Sequence, residues 1–352
     1  MNESPKYALL VPSSLGVRLT PCGGFPAHAA TSFDLQVTSA ETNAASVASF
    51  LGLPVKVLTA LVESHPFSAR IEADLRGRGM DVEAMVLPQG SPWGWRHQIN
   101  IADSGSGLRG PRVWNDRAGE AGRALKAEAF DLERIFGREG VRMVHLSGLV
   151  AAIAPEFCTG VVRCAREHGA AVSFDLNYRA SFWEGRQEEL RAVFMGIASL
   201  SDVLIGNEED FQLCLGLEGP ETGGQGLAGK TEAFKAMLAD IRSRFPAARV
   251  VATTLREVLD SGRHLWGAIV SDASGTEILE PREISVLDRI GGGDGFVGGL
   301  LYGLLKGWDT VRCARFAWAC GVLAVNLPTD YAIPAGEEQL WAIWNGNARV
   351  KR

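Results

Sequence analysis

The sequence predicts an α/β fold in which a mostly parallel sheet lies between layers of helices, with a small β-sheet lid. Short apolar segments alternate with segments of helical spacing along most of the chain. The apolar segments are almost uninterrupted, which is typical of strands that are buried on both faces. Two stretches, residues about 12–38 and 91–116, break this rhythm with alternating polar and apolar residues. We expect residues 1–352 to form one domain, with these two stretches as the lid over one edge of the sheet.

The composition excludes several classes of protein. The 352 residues are 46% hydrophobic and 22% charged, as in soluble globular proteins, and the net charge is −6. This charge and the lack of a long basic run disfavour nucleic acid and anionic membrane surfaces as partners. No signal-peptide pattern is present, and no Cys-x-x-Cys pair occurs among the six cysteines. We therefore expect a cytoplasmic protein whose cysteines are reduced core residues.

The N-terminal half supplies the first sheet strands and most of the lid. Apolar runs predict sheet strands, alternation predicts lid strands, and a glycine such as Gly52 ends a helix. In chain order we predict the strand Tyr7–Val11, the lid strands Val17–Leu19 and Phe33–Val37, the helix Glu41–Leu51, the strand Pro54–Ala60, the helix Pro66–Arg78, the strand Val82–Leu87 and the lid piece Trp95–Ile101.

The C-terminal half continues the alternation and ends in largely apolar helices. The turn residues Asp272–Gly275 predict an antiparallel strand pair at the edge of the sheet. In chain order we predict the strand Met143–Leu146, the helix Pro155–Glu167, the strands Ala171–Asp175 and Val203–Ile205, a helix that follows the second of these, the helix Thr231–Arg244, the strand Arg249–Thr254, the pair Trp266–Ser271 and Thr276–Leu279, and the helices Asp309–Val325 and Glu337–Trp344.

A triple-glycine corner carries the strongest chemical signal. Gly291, Gly292 and Gly293 are followed by Asp294 and an apolar run of helical character. Glycines let backbone N–H groups converge, and a helix start adds the positive end of its dipole, so this corner suits a phosphate. A single carboxylate there can take a proton from an attacking hydroxyl. The alternative is an ordinary glycine turn with Asp294 as the N-cap of the helix.

The corner also carries a family resemblance. The stretch Asp288-Arg289-Ile290-Gly291-Gly292-Gly293-Asp294 resembles the second signature of the ribokinase/PfkB sugar kinases, most closely that of the 2-keto-3-deoxygluconate kinases. The resemblance implies a ribokinase-like three-layer α/β/α sandwich, with a lid that covers the sugar. It implies Asp294 as catalytic base, Gly291–Gly293 as the anion hole, ATP and Mg²⁺ as cosubstrate and metal, and a sugar or sugar acid as acceptor.

The resemblance extends to residues for both substrates. Asn115-Asp116-Arg117 is similar to a family stretch whose arginine contacts the sugar acid, and Asp175-Leu176-Asn177-Tyr178-Arg179 is similar to the Asp-x-Asn-x-Arg motif. An arginine fork fits a carboxylate or a phosphate. The implied sugar-site residues are Asn43, Arg117, Asn177 and Arg179. The implied nucleotide-site residues are Asn207, Thr254, Arg256, Gly293 and Asn326, with Glu208 and Glu209 holding the metal through water.

Purely structural roles remain possible alternatives for several of these residues. The acids after Asn207 also suit a helix dipole, and Arg117 and Arg179 also fit exposed surface arginines. The lid tryptophans Trp93, Trp95 and Trp114 fit sugar stacking, a homodimer contact through the lid, or lid core.

Two further glycine patterns are predicted to be loops. Gly105–Gly110 matches G-x-G-x-x-G, but Pro111 and an extended segment follow where a dinucleotide site needs a helix. The segment Gly224–Thr231 matches a P-loop letter by letter, yet a polar linker precedes it where a buried strand is required. A P-loop NTPase that uses Lys230 is therefore a rival hypothesis that we disfavour.

The sugar half of the site departs from the family pattern. Ser13 and Ser14 replace Gly-Glu, Thr38 and Ser39 stand where glycines are usual, and Gly295 replaces a serine. Side chains in place of glycines are expected to take up room in the sugar pocket. The substrate is thus less defined than the reaction, and a sugar-binding pseudokinase or a kinase for another sugar or nucleoside are the alternatives.

Overall fold

A nine-stranded sheet forms the centre of the molecule in the computed structural model, which describes residues 5–221 and 230–347. Its strand order is β13-β12-β11-β10-β9-β8-β1-β4-β5. Seven strands of this sheet are parallel: β11, β10, β9, β8, β1, β4 and β5. Strand β12 pairs antiparallel with both β11 and β13. The sheet strands are β1 (Tyr7–Pro12), β4 (Val55–Val62), β5 (Met80–Leu87), β8 (Val141–Ser147), β9 (Ala171–Asp175), β10 (Val203–Ile205), β11 (Val250–Asp260), β12 (Arg263–Asp272) and β13 (Gly275–Ser285).

Two layers of helices cover the sheet, one on each face, as the three-layer prediction requires. One core cluster contains residues of α3, α4, α6, α7 and α8, and the other contains residues of α1, α2, α9, α10 and α11. The helices are α1 (Ala40–Phe50), α2 (Pro66–Gly77), α3 (Gly148–Ile153), α4 (Pro155–Glu167), α5 (Ala180–Trp183), α6 (Gln187–Ser199), α7 (Glu208–Leu215), α8 (Thr231–Arg244), α9 (Gly292–Leu305), α10 (Thr310–Val325) and α11 (Glu337–Trp344).

The predicted elements are present, with differences at their ends. Strand β11 continues to Asp260, six residues past the predicted end at Thr254, because its extension pairs with β12. Helices α3, α5 and α6 were not predicted from the sequence. All six cysteines are free thiols, and five of them are buried, as expected of core residues. None of the helices in the described part of the chain is long and apolar enough to span a membrane.

A separate four-stranded sheet forms the lid, in the order β3-β2-β6-β7. Its strands are β2 (Gly16–Pro21), β3 (Phe33–Thr38), β6 (Gln98–Asp103) and β7 (Arg112–Asp116). Strand β2 pairs antiparallel with β3 and parallel with β6. Because strand residues alternate between faces, Gln98, Asn100 and Ala102 share one face of β6, and all three line a cavity beneath the lid. The alternation of residues along this strand therefore reflects a lid whose one face lines the cavity.

A buried ion-pair trio joins the lid to the main body. The Arg18 side chain on β2 is 1% exposed and donates to the carboxylates of Asp288 and Asp330. Ser104 donates to Asp288 over 2.6 Å, and Thr38 donates to Asp330 over the same distance. Two lid strands and a lid loop are thus fixed to the residues that flank the glycine corner. A buried charge network of this kind holds its geometry only when every partner is present.

We predict that Arg18→Met destabilises the protein by about 3–5 kcal/mol, because two carboxylates lose their buried cation. Urea unfolding measures this difference as a lower transition midpoint. Arg138→Met is the matched control, since its ion pair with Asp131 joins side chains that are 74% and 52% exposed. We expect the control to change the free energy of unfolding by less than about 1 kcal/mol. Equal effects of the two substitutions would contradict the role of the trio.

Candidate active site

A cavity of about 730 Å³ lies between the inner face of the lid and the carboxyl ends of the parallel strands. This edge of an open parallel sheet is where ligands usually bind, since the loops there converge. Residues after β9 and β10, the glycine corner and the lid strands all contribute to its lining. Of the residues predicted from the sequence, the cavity brings together Asn43, Arg117, Asn177, Arg179, Asn207, Glu208, Glu209, Thr254, Arg256, Gly291, Gly293 and Asp294.

The glycine corner forms the start of a helix, as predicted, but only two of its three glycines line the cavity. Gly291 has a φ of +86°, in the left-handed region, and a Cβ atom there would lie 1.9 Å from the carbonyl oxygen of Asp330. Only glycine fits such a position without moving the neighbouring loop. Helix α9 begins directly after it, at Gly292. Gly291 and Gly293 line the cavity, whereas Gly292 is buried and does not line it.

Asp294 lies in the first turn of α9 and faces the cavity. No side chain caps α9, so the N-cap interpretation of Asp294 is wrong. Its Oδ2 instead accepts a hydrogen bond from Asn43 Nδ2 over 2.9 Å. Burial, together with the neighbouring carboxylates Asp175 and Asp330, raises the pKa of Asp294 to about 8, although the hydrogen bond from Asn43 opposes this rise. The group is therefore poised to exchange a proton near neutral pH.

The contact between Asn43 and Asp294 depends on how α1 packs on α9. A Cβ atom on Gly298 would lie 2.3 Å from the carbonyl oxygen of Ala44, so the two helices approach as closely as only glycine permits. Ser39 caps α1 by accepting from Thr42 N over 3.2 Å. The buried Glu41 accepts a bond from Ser13 over 2.7 Å, and it also accepts one from Ser147. This network fixes the start of α1 against β1 and β8.

The Asp-x-Asn-x-Arg segment follows β9 at the cavity edge. Asn177 adopts a φ of +39°, and its Nδ2 donates to Asp175 Oδ2 over 3.3 Å. Burial and the nearby Asp210 raise the pKa of Asp175 to about 7. Arg179 is exposed to the cavity, and among the described residues its side chain donates only to the carbonyl of Tyr178, over 2.8 Å. Its guanidinium is therefore available to an anionic ligand.

Arg117 is held more firmly than an exposed surface arginine. It pairs with Glu120 over 2.7 Å, its side chain is 14% exposed, and it lies 5.1 Å from the ring of Phe182. Glu120 also accepts a bond from Ser14 over 2.5 Å. The arginine thus projects into the cavity from a fixed position, which suits recognition of a carboxylate.

The predicted nucleotide residues divide into two groups. Asn207 caps α7 by accepting from Asp210 N over 2.8 Å, while Glu208 and Glu209 of its first turn line the cavity. Thr254 and Arg256 on β11 also line it. Asn326 does not: it is exposed at the end of α10, does not line the cavity, and donates to the carbonyl of Ser285 over 2.6 Å. Its predicted place in the site is therefore not supported.

Sequence reasoning missed several lining residues. Gln98, Asn100 and Asn115 come from the lid strands, and Arg289 comes from the family signature itself. The side-chain oxygens of Gln98 and Asn100, like those of Asn43 and Asn177, have no partner among the described residues. Alternation along β6 was the signal that could have identified the first two. The third required knowledge of which lid face turns inward.

The structure also shows where the two other glycine patterns and the lid tryptophans lie relative to the cavity. Gly105–Gly110 forms the turn between the antiparallel strands β6 and β7, as predicted for a loop. Of the P-loop-like stretch, residues 224–229 lie outside the described part of the chain. Lys230 lies away from the cavity and donates to the carbonyl of Glu221 over 3.0 Å. The three lid tryptophans do not line the cavity either, which contradicts sugar stacking by them.

The departures from the family pattern have structural reasons. Thr38 and Ser39 line the cavity, as expected of side chains that replace glycines, but both are buried and hydrogen-bonded. Ser13 and Ser14 do not line it, and they serve the networks around Glu41 and Glu120. Gly295 packs against α10, where a Cβ atom would lie 2.7 Å from the carbonyl oxygen of Cys320. A serine there would clash with that helix.

We predict that Gly291→Ala destabilises the fold, whereas Gly293→Ala does not. The first substitution places a Cβ atom in the left-handed region and against the Asp330 backbone, which costs about 1–3 kcal/mol or more. Nothing lies within 4 Å of a Cβ atom on Gly293. Thermal unfolding of both variants measures the difference. A Gly291→Ala variant that melts with the Gly293→Ala protein would show that the corner tolerates side chains.

Comparison with known proteins agrees with this geometry. The family described as pfkB family carbohydrate kinase matches residues 32–333. The chain is 26% identical to the 2-dehydro-3-deoxygalactonokinase of Haloferax volcanii, over 96% of each chain. It is 25% identical to the 2-dehydro-3-deoxygluconokinase of Thermoproteus tenax, over 96% of this chain and 95% of that one. A crystal structure of 2-dehydro-3-deoxygluconokinase from Thermotoga maritima is 29% identical and superposes with a TM-score of 0.86, covering 97% of this chain and 99% of that one.

The family match covers the lid strand β3, the whole main sheet after it and the glycine corner with Asp294. The relatives named above share nearly the full length of the chain. The fold, the position of the cavity and the signature residues in it point the same way. The chain therefore belongs to the pfkB family of carbohydrate kinases.

Proposed function

We propose that the protein transfers the terminal phosphoryl group of ATP to a hydroxyl of a 2-keto-3-deoxy sugar acid. The observation that carries this proposal is Asp294, a cavity carboxyl in the first turn of the helix that leaves the triple-glycine corner. The relatives named above act on the gluconate and galactonate forms of one such acid, which differ at one stereocentre. The shared chemical class, rather than one epimer, is therefore what we assign.

Asp294 is the proposed general base. A hydroxyl of the bound sugar gives its proton to the Asp294 carboxylate as its oxygen attacks the phosphorus atom. The hydrogen bond from Asn43 orients the carboxylate. A pKa of about 8 matches a base that works near neutral pH, since it combines a useful ionised fraction with strong proton affinity.

The residues present fit ATP and a divalent metal. Gly291 and Gly293 leave room at the start of α9, where backbone N–H groups and the helix dipole favour phosphate oxygens. Glu208 and Glu209 offer the carboxylate oxygens that Mg²⁺ prefers. The metal, when bound, supplies charge neutralisation at the phosphates. The residues of the corner stabilise the negative charge that develops on the transferring group.

The rest of the cavity suits a hydroxylated acid. Arg179 and Arg117 provide cations for its carboxylate, and Arg179 has no ion-pair partner among residues 5–221 and 230–347. The unpaired amide oxygens of Asn43, Gln98 and Asn100 can accept hydrogen bonds from hydroxyl groups. This set is consistent with a substrate that carries one carboxylate and several hydroxyls.

We predict that Asp294→Asn lowers kcat by roughly 10²–10⁴-fold while the sugar acid still binds, because only the proton acceptor is lost. A coupled assay of ADP release against 2-keto-3-deoxygluconate, its galactonate epimer and a panel of other sugars measures the rate. Wild-type rates in the variant would refute the assignment of Asp294. If the wild-type protein binds the acid but phosphorylates no member of the panel, a sugar-binding protein of the same fold is the better description.

Stability serves as the control for this variant. A carboxyl whose pKa is raised to about 8 holds more protons in the folded than in the unfolded chain, so the folded state loses stability as pH rises from about 4 to 8. Asn cannot ionise, and the variant should escape this loss. We therefore expect its melting temperature at pH 8 to equal or exceed that of the wild type. If the melting temperature of the variant is lower than that of the wild type, misfolding explains the lost activity.

We further predict that Arg179→Gln raises KM for the sugar acid by roughly 10–100-fold, because a charge-assisted hydrogen bond to its carboxylate is lost. KM for ATP should stay unchanged. A neutral sugar turned over by the wild type serves as the internal comparison, since it lacks the carboxylate and should be unaffected. An increase in KM for ATP alone would indicate that Arg179 contacts the nucleotide and not the sugar acid.

A further inference from the structure

Two cavity arginines stand out because they are unpaired. Arg256 on β11 and Arg289, which precedes the glycine corner, both line the cavity and are only partly exposed. Within the described ranges, neither guanidinium makes a hydrogen bond or an ion pair. The other largely buried arginines behave differently. Arg18 pairs with two carboxylates, and Arg78 pairs with Asp74 over 2.6 Å.

The two side chains also repel each other. Burial, then repulsion by Arg289, lowers the pKa of Arg256 to about 10. Burial and the neighbouring Arg179 lower the pKa of Arg289. The nearby His264 is pushed the same way, so it is neutral and adds no third charge. Glu208 attracts Arg256 but forms no ion pair with it. Like charges left together in a cavity indicate a site that an anion completes.

The geometry favours a polyphosphate as that anion. Arg289 lies two residues before Gly291, so its side chain starts next to the helix terminus that already favours phosphate oxygens. Each planar guanidinium can hold two oxygens at once, so two of them lining one cavity can bind more than one phosphoryl group. A single carboxylate would leave part of this positive charge uncompensated.

Resting on the proposed function, we propose that Arg256 and Arg289 hold the phosphate chain of the nucleotide directly, so that the protein binds nucleotide without a divalent metal. The metal is then needed for phosphoryl transfer but not for nucleotide binding. Both arginines contact the ligand in this arrangement, and they define a polyphosphate-binding pair next to the glycine corner.

Isothermal titration calorimetry with ADP in the presence of EDTA tests the proposal. We expect the wild-type protein to bind ADP under these conditions. Arg256→Gln and Arg289→Gln should each weaken binding by roughly 10–100-fold, the cost of a charge-assisted hydrogen bond. Inorganic tripolyphosphate, which has no base or sugar, should show the same losses. Arg263→Gln is the matched control, because Arg263 lies on the neighbouring strand outside the cavity and pairs with Asp260.

The outcomes separate cleanly. ADP binding that requires Mg²⁺ in the wild type, or undiminished binding by both Gln variants, would overturn the proposal. Removal of a repelling charge should not lower the melting temperature, and Arg289→Lys, which keeps the charge, should bind better than Arg289→Gln. If it binds no better, charge is not the reason. Metal-free ADP binding without phosphorylation of any sugar would defeat the proposed function and leave this inference standing.

Discussion

The buried Arg18 between Asp288 and Asp330 is the interaction on which the site depends. One guanidinium joins the lid, the residue that opens the glycine corner and the loop whose carbonyl packs on Gly291. Such a cluster is costly to desolvate, and it is stable only when all three charges are present. The lid is therefore fixed to the glycine corner through charge as well as through apolar packing, and the same ion pairs join two sides of the cavity.

Elsewhere in the cavity, like charges remain together. Asp294 and Asp175 have raised pKa values, and Arg256 and Arg289 have lowered ones. The charged form of each group would be more stable in water or beside an opposite charge. The surrounding sheet and helices hold these groups in place. Unfavourable electrostatics of this kind lower stability locally, and such groups cluster at functional sites.

Much of the fold was predictable because hydrophobic pattern and sheet topology are closely linked. Buried parallel strands are apolar runs, so each strand of the main sheet was predicted, with differences only at the ends. Strand β11 was underestimated because its polar extension, from Leu255 to Asp260, is stabilised by pairing with β12 rather than by its own pattern. Contiguous motifs predicted Asp294 and Arg179 as site residues, and both line the cavity. The family resemblance also implied Asn326, but its side chain donates to the carbonyl of Ser285 and does not line the cavity.

The sequence by itself determined the α/β class, the family and the glycine corner with its single carboxyl, since these follow from local pattern and from one contiguous motif. Only the tertiary structure decided which residues meet across the cavity. Asn43 and Asp294 are 251 positions apart, and they touch because α1 packs on α9. Gln98 and Asn100 line the cavity from the lid, which the ion pairs of Arg18 join to the main body. Such contacts join distant segments, and no local pattern of residues encodes them.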